Sequence, residues 1–366
     1  MSYDRVFRTR SDHWAQVFQL EMHLSCYNIF YMQHVTLYYH MTLGMSTKLI
    51  TLSAIATFLG GAAMADVPNV AVDIAPVHSL VARVMQGVGE PSLIVAPGAS
   101  PHEYSLRPSE ATALQEADLV FWVSPDLTPW LDDAIDTLAS DAAVTQLLEV
   151  DGTTELQVRE GALFEAHDHE DHEDDDDHDH DKEKDHDDHD HEENDHGAHD
   201  PHAWLSPDNG AVWLNVIAAQ LSAVDPKNAG AYFANAATGR EELAALSDEI
   251  NAILDPVRGR NFIVFHDAYQ YFEKAFDFPA SGAISVSDAT DPSPARIAEI
   301  QASIAEQGVS CVLSEPQFNP GIVAAVTEGS QANTRVIDPL GSDLELGQDL
   351  YGNVQRNLAR ALADCL

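Results

Sequence analysis

Between Ala166 and Asp200 the chain is almost wholly Asp, Glu and His, with Lys182 and Lys184 as its basic residues, and no apolar periodicity runs through it. Such a stretch cannot bury enough surface to offset the conformational entropy of ordering it. It is therefore expected as a disordered surface loop, 165–200, and any core must be built from the chain on either side. The flanks can supply one, because the 366 residues are 45% apolar overall, enough for two domains with cores of their own.

On both sides of the loop, short β-rich runs alternate with helical patterns. Before it, Val70 to Ile74, Leu93 to Ala96, Leu119 to Trp122 and a run near Leu147 to Val150 read as strands, with helices over Ser79 to Gly87 and Pro108 to Ala117. After it come helices over Pro207 to Leu221 and Ala229 to Leu254, the second long enough to serve as a rod between lobes and ended by Pro256. Strands then follow at Phe262 to Phe265, Ala283 to Val286, Cys311 to Ser314 and Arg335 to Ile337. The helices among them are Tyr269 to Phe276, Pro294 to Gln307, Gly321 to Glu328 and Leu350 to Ala363. Alternation of this kind implies parallel sheets covered on both faces. The expected class is α/β: two (βα) lobes with parallel sheets, an N-terminal lobe 66–225 and a C-terminal lobe 257–366, joined by one long rigid helix, 226–256.

Residues 1–65 are set apart as leader and signal peptide. From Met45, one Lys (Lys48), an apolar run from Leu49 to Leu59 and the small residues ending Ala63-Met64-Ala65 have the layout of a cleavable secretory signal. Cleavage is expected after Ala65 and the start at Met45, a genuine extension over 1–44 being the other reading. Removing the leader takes away Cys26 and leaves Cys311 and Cys365, an even pair in an oxidising compartment, which favours a disulfide over two buried thiols. The formal net charge of -42 argues against nucleic acid or an anionic membrane surface as partner and makes cations the natural ligands.

Of the 18 histidines, four precede Met45 and ten lie between His167 and His199, which leaves His78, His102, His202 and His266 for the lobes. His102 follows the strand Leu93 to Ala96 through Pro97-Gly98-Ala99-Ser100-Pro101, His202 stands in Asp200-Pro201-His202-Ala203-Trp204 before a helix, and His266 caps the strand Phe262 to Phe265. Positions just beyond strand ends are where α/β proteins bind ligands. With two of these histidines in one lobe and one in the other, a metal site in the cleft between the lobes is expected. Three neutral imidazoles suit Zn²⁺ and leave one tetrahedral position open. His78, in Pro76-Val77-His78-Ser79, could stand behind these ligands, with a capping or core role as the alternative. The ten loop histidines, interleaved with carboxylates, are expected to bind several metal ions weakly.

The runs Gly98-Ala99-Ser100-Pro101-His102-Glu103-Tyr104-Ser105-Leu106-Arg107-Pro108-Ser109, Asp200-Pro201-His202-Ala203-Trp204-Leu205-Ser206-Pro207, Phe265-His266-Asp267-Ala268-Tyr269, Glu315-Pro316-Gln317-Phe318 and Asp338-Pro339-Leu340-Gly341 resemble the zinc-uptake solute-binding proteins of ABC importers, the ZnuA type. The resemblance runs over residues 66 to 366. It implies a periplasmic, monomeric carrier of Zn²⁺ that serves an inner-membrane ABC permease, with a periplasmic zinc chaperone as a further candidate partner. It also implies zinc ligation by His102, His202 and His266. Some zinc-binding members place a Glu before the first His, where this chain has Pro101. Asp338 matches the acidic ligand of manganese-binding relatives and is the expected fourth ligand, a water or a loop histidine being the alternatives. Those relatives carry a carboxylate where His266 stands, so the third imidazole favours zinc. The competing functions are a periplasmic zinc store and a secreted zinc hydrolase. The second lacks support, because the chain has no His-Glu-x-x-His helix or nucleophile motif, and no enzymatic activity is expected.

Overall fold

Strands of two to five residues pair into two sheets whose inner strands are buried almost throughout, so neither face of those strands is left in water. The computed structural model describes residues 67–159, 199–285 and 292–366. The expected signal segment and all but the last two residues of the expected loop lie outside them.

The first sheet contains β1 (Val70–Val72), β2 (Ser92–Leu93), β3 (Leu119–Trp122) and β4 (Ala143–Gln146), all parallel, in the order β2-β1-β3-β4. Between them run α1 (Ala75–Val84), α2 (Pro108–Gln115) and α3 (Pro129–Leu138). Each starts with a proline in its first turn, where the fixed φ fits and the missing N–H costs nothing. Side chains alternate across the sheet. Val70, Val72, Leu119 and Phe121 enter one core with Val77, Leu80 and Val81 of α1, whereas Ala71, Val120 and Trp122 meet Leu114, Leu131 and Ile135 on the other face.

Two helices follow, α4 (Pro207–Val224) and α5 (Ala229–Leu254). With 26 residues, α5 is about 39 Å long. It buries Tyr232, Ala236, Gly239, Leu243, Leu246, Ile250 and Leu254, a single stripe at spacings of three and four. Gly239 lets α4 cross closely, since a Cβ there would lie 2.9 Å from Leu214 Cδ1.

The second sheet repeats the first. Its strands β5 (Phe262–His266), β6 (Gly282–Ser285), β7 (Cys311–Ser314) and β8 (Asn333–Val336) are parallel in the order β6-β5-β7-β8. Its helices are α6 (Gln270–Phe276), α7 (Pro294–Gln307) and α8 (Pro320–Thr327). Ile263, Phe265 and Val312 pack on Ile300 and Ile304 of α7 and Val323 of α8, while Phe262, Val264 and Leu313 turn inward to the core that β1 and β3 also share.

The last helix, α9 (Leu350–Cys365), crosses from one lobe to the other. Its Tyr351 N–H donates to Ser79 Oγ of α1, and Arg356 Nε lies 2.7 Å from Glu249 of α5. At its end Cys365 is disulfide-bonded to Cys311 of β7, as expected, with a Cα separation of 5.6 Å. Three strands differ most from their expected positions: β2 ends at Leu93, where the run Leu93 to Ala96 was expected to begin, β4 ends at Gln146, just before the Leu147 to Val150 run, and β8 starts at Asn333 rather than Arg335. Among the described residues no helix is long and apolar enough to cross a membrane.

Candidate metal centre

His266 is the final residue of β5 and is buried; its register partner in β6 is Ser285, so the ladder sets its backbone. Its Nδ1 lies 2.7 Å from Glu315 Oε1, a carboxylate one residue beyond the end of neighbouring β7. The other oxygen of Glu315 accepts from Gln317 Nε2 at 2.8 Å.

His202 is buried at the start of a 3₁₀ turn, Ala203–Leu205, that leads into α4. Asp200 holds it twice, with Oδ1 2.7 Å from the ring Nδ1 and 3.0 Å from the backbone N–H. Asp200 itself is anchored to the second half of the chain: its carbonyl accepts from Tyr271 Oη, and its Oδ2 from Gln270 Nε2, both on α6. Arg159 ties the other end of the 160–198 stretch to the same helix, pairing with Asp267, next to His266, and with Glu273.

His102 is half-buried in the loop after β2. That loop needs a left-handed residue, Gly98 at φ +81°, and is pinned by Trp130 Nε1, which donates to the Pro101 carbonyl at 2.7 Å.

These three rings, far apart in the chain, are neighbours in space. The His202 ring centre lies 5.7 Å from that of His102 and 5.3 Å from that of His266. Two imidazoles sharing a tetrahedral zinc, with Zn–N bonds of about 2.0 Å, have ring centres on the order of 5 Å apart. Among the described residues no three His, Cys, Asp or Glu groups are drawn together into a complete ligand shell. Aromatic rings wall the cluster: Trp204 stands 5.3 Å from His202, and Phe318 and Tyr269 stand 5.4 and 6.2 Å from His266. Burial, helped by the nearby Glu315 and Asp338 carboxylates, pushes the Tyr269 hydroxyl well above its ordinary pKa, so it stays protonated.

Asp338 therefore stands close to this wall, but its oxygens are engaged. Oδ1 accepts from the Leu340 and Gly341 N–H groups, and Oδ2 from the Ser342 N–H and hydroxyl. The turn it builds requires glycine at 341, where φ is +70° and a Cβ would meet Val354 Cγ2 at 2.7 Å. His78 belongs to another neighbourhood. Its Nε2 is bonded to the Pro91 carbonyl at 3.0 Å, its buried Nδ1 has no hydrogen-bond partner, and burial lowers its pKa. No contact in the described residues joins it to the three rings.

The family profile "ZnuA: Zinc-uptake complex component A periplasmic" matches residues 70–365. The chain belongs to the ZnuA family. A ZnuA relative, the "High-affinity zinc uptake system protein ZnuA" of Brucella abortus (strain 2308), is 47% identical over 319 residues, covering 85% of this chain and 96% of that protein. A protein of the same name from Paracoccus denitrificans (strain Pd 1222) is 45% identical over 316 residues, 85% and 97% of the two chains. A solved structure described as "Crystal structure of ZnuA" superposes with a TM-score of 0.64 over 82% of this chain and 99% of that one; at 23% identity it bears on the fold. Members of the ZnuA family are periplasmic components of zinc uptake, and two parallel four-stranded sheets with a long helix between them in sequence are its architecture here.

The sequence did not single out Asp200 or Glu315 as functional residues. Both stood in the motifs that carry the resemblance, and a carboxylate two places before a histidine was the available signal for Asp200. Nothing local marks Glu315, which is 49 residues from His266.

Proposed function

We propose that this chain captures Zn²⁺ in the periplasm on His102, His202 and His266 and delivers it, chemically unchanged, to an inner-membrane ABC permease. It acts as a monomer and has no catalytic role. The observation that carries the reading is the convergence of three imidazoles from both lobes, with ring centres 5.3 and 5.7 Å apart, inside an aromatic wall. Imidazole nitrogen suits zinc, and a carrier, unlike a hydrolase, needs no general base or substrate pocket beside the ion. Asp338 enters as fourth ligand by exchanging its bond from the Ser342 hydroxyl, which can rotate away, for the ion.

Zinc titration tests this in a chain lacking 168–196, so that loop histidines do not contribute. Replacing His102, His202 and His266 together by Ala should abolish the tight phase. A triple variant that binds one zinc as tightly as its loop-deleted parent overturns the assignment. Asp338→Asn, with the three histidines intact, should weaken zinc if the carboxylate ligates and leave it unchanged if Asp338 only builds its turn.

A further inference from the structure

Resting on that reading, we propose that Asp200 and Glu315 are positioning residues that hold His202 and His266 in the tautomer with the proton on Nδ1, so that Nε2 of each ring is the nitrogen offered to the metal.

Both carboxylates sit 2.7 Å from Nδ1 of their histidine and both are buried, each 3% exposed. A carboxylate only accepts hydrogen bonds, and a neutral imidazole has one donor nitrogen and one acceptor nitrogen. The nitrogen facing the carboxylate is therefore the donor, and the lone pair falls to Nε2. The same contact stops the ring from turning over, which would exchange the two nitrogens. It also makes Nε2 a stronger donor to a cation, as carboxylates behind metal-binding histidines do.

Each carboxylate is itself held from behind. Asp200 Oδ1 is shared between the ring and the His202 backbone N–H, its Oδ2 accepts from Gln270, and its N–H donates to the Leu156 carbonyl at 2.8 Å. Glu315 is fixed by Gln317 Nε2 at Oε2 and by the Phe318 N–H at its carbonyl. His78 supplies an internal contrast. Its Nε2 faces the Pro91 carbonyl, another pure acceptor, so its proton sits on Nε2, the reverse of the two cleft rings.

Nitrogen-15 NMR of the zinc-free full chain reads the tautomers directly, with rings assigned from single His→Gln variants. His202 and His266 should show a protonated Nδ1 and an unprotonated Nε2, and His78 the opposite. Zinc affinity is then measured for two pairs of variants. Asp200→Asn and Glu315→Gln keep an acceptor oxygen, and the Gln317 amide can turn over to match the second; they should stay within a few-fold of wild type. Asp200→Leu and Glu315→Leu keep volume without an acceptor and should lose roughly 10- to 100-fold, with mixed tautomers.

A proton found on Nε2 of either cleft ring overturns the proposal. So does a folded leucine variant that binds zinc as tightly as wild type. If a leucine variant fails to fold, the wild-type tautomer and the amide variants decide. Failure of the ligand assignment looks different: His202→Ala and His266→Ala would then bind zinc normally, whatever the tautomers.

Discussion

The two sheets have the same strand order, yet they use the end of their central strand differently. β5 ends in His266, whose ring stands beside that of His202; β1 runs into Asp73, which turns back and accepts from the Ile74 and Val123 N–H groups. The first lobe therefore carries its histidines on loops, His102 after β2 and His202 before α4, and fixes them with side-chain bonds from Trp130 and Asp200. The second carries its histidine on a strand, held by ladder pairing, with Cys311–Cys365 stapling the sheet at the opposite end of that strand. A strand-borne ligand is rigid because the sheet is. A loop-borne side chain is only as rigid as the few hydrogen bonds that tie it down, so on the proposed function the first lobe is the half expected to adjust.

The largest effect should come from the staple. A Cys311→Ser, Cys365→Ser chain loses a cross-link spanning 54 residues, which the chain-entropy relation values at about 4 kcal/mol; chemical unfolding measures it. If the contrast between lobes holds, zinc affinity survives in the folded state, because the ladder and Glu315 still hold His266. A collapse of affinity would show that the strand alone does not suffice.

Asp73 sharpens the comparison from the other side. Burial raises its carboxyl from 3.8 to about 7, against the pull of its backbone hydrogen bonds. The folded state thus binds the proton more tightly than the unfolded chain. The stability contributed by the protonated form is fully present below pH 3.8 and is lost as pH rises through about 7, on the order of 4 kcal/mol in total. Unfolding free energy measured from pH 4 to 8 should show that fall, and Asp73→Asn should flatten it.

Arg159→Ala should cost less, roughly 2–3 kcal/mol. It leaves the buried Asp267 and Glu273 carboxylates without their shared cation, though the partly exposed site admits water. Since Arg159 bridges the lobes, the loss should loosen the grip on zinc as well, seen as faster release to a chelator. The smallest effect is expected for Trp130→Phe. It removes one bond to the His102 loop, about 1 kcal/mol, and should lower zinc affinity by a few-fold, where a comparable loss at β5 would not.

Much of the fold was legible because apolar runs mark buried strands. Leu119–Trp122, Cys311–Ser314 and the helix Pro294–Gln307 fall where the pattern puts them. The three misplacements, β2, β4 and β8, are all sheet edges and share one cause. An edge strand is defined by backbone pairing while its side chains meet solvent: Val144 is 43% exposed and Val336 63%. The apolar signal instead marked Leu147 and Leu148, which are buried just after β4 ends. Apolarity reports burial, and at an edge burial and pairing part company.

By itself the sequence determined the parallel α/β alternation and the pairing of the two late cysteines, and it picked out three histidines whose rings the fold brings side by side. Those are properties of residue type and local spacing. Tertiary structure decided which of the 60 acidic side chains matter to the rings, because that depends on which strands lie side by side. It put Glu315 behind His266 through the pairing of β5 with β7, sent His78 to the Pro91 carbonyl, and gave both oxygens of Asp338 to a turn. A hydrogen bond is decided within a few tenths of an ångström, and only the packed chain defines positions that finely.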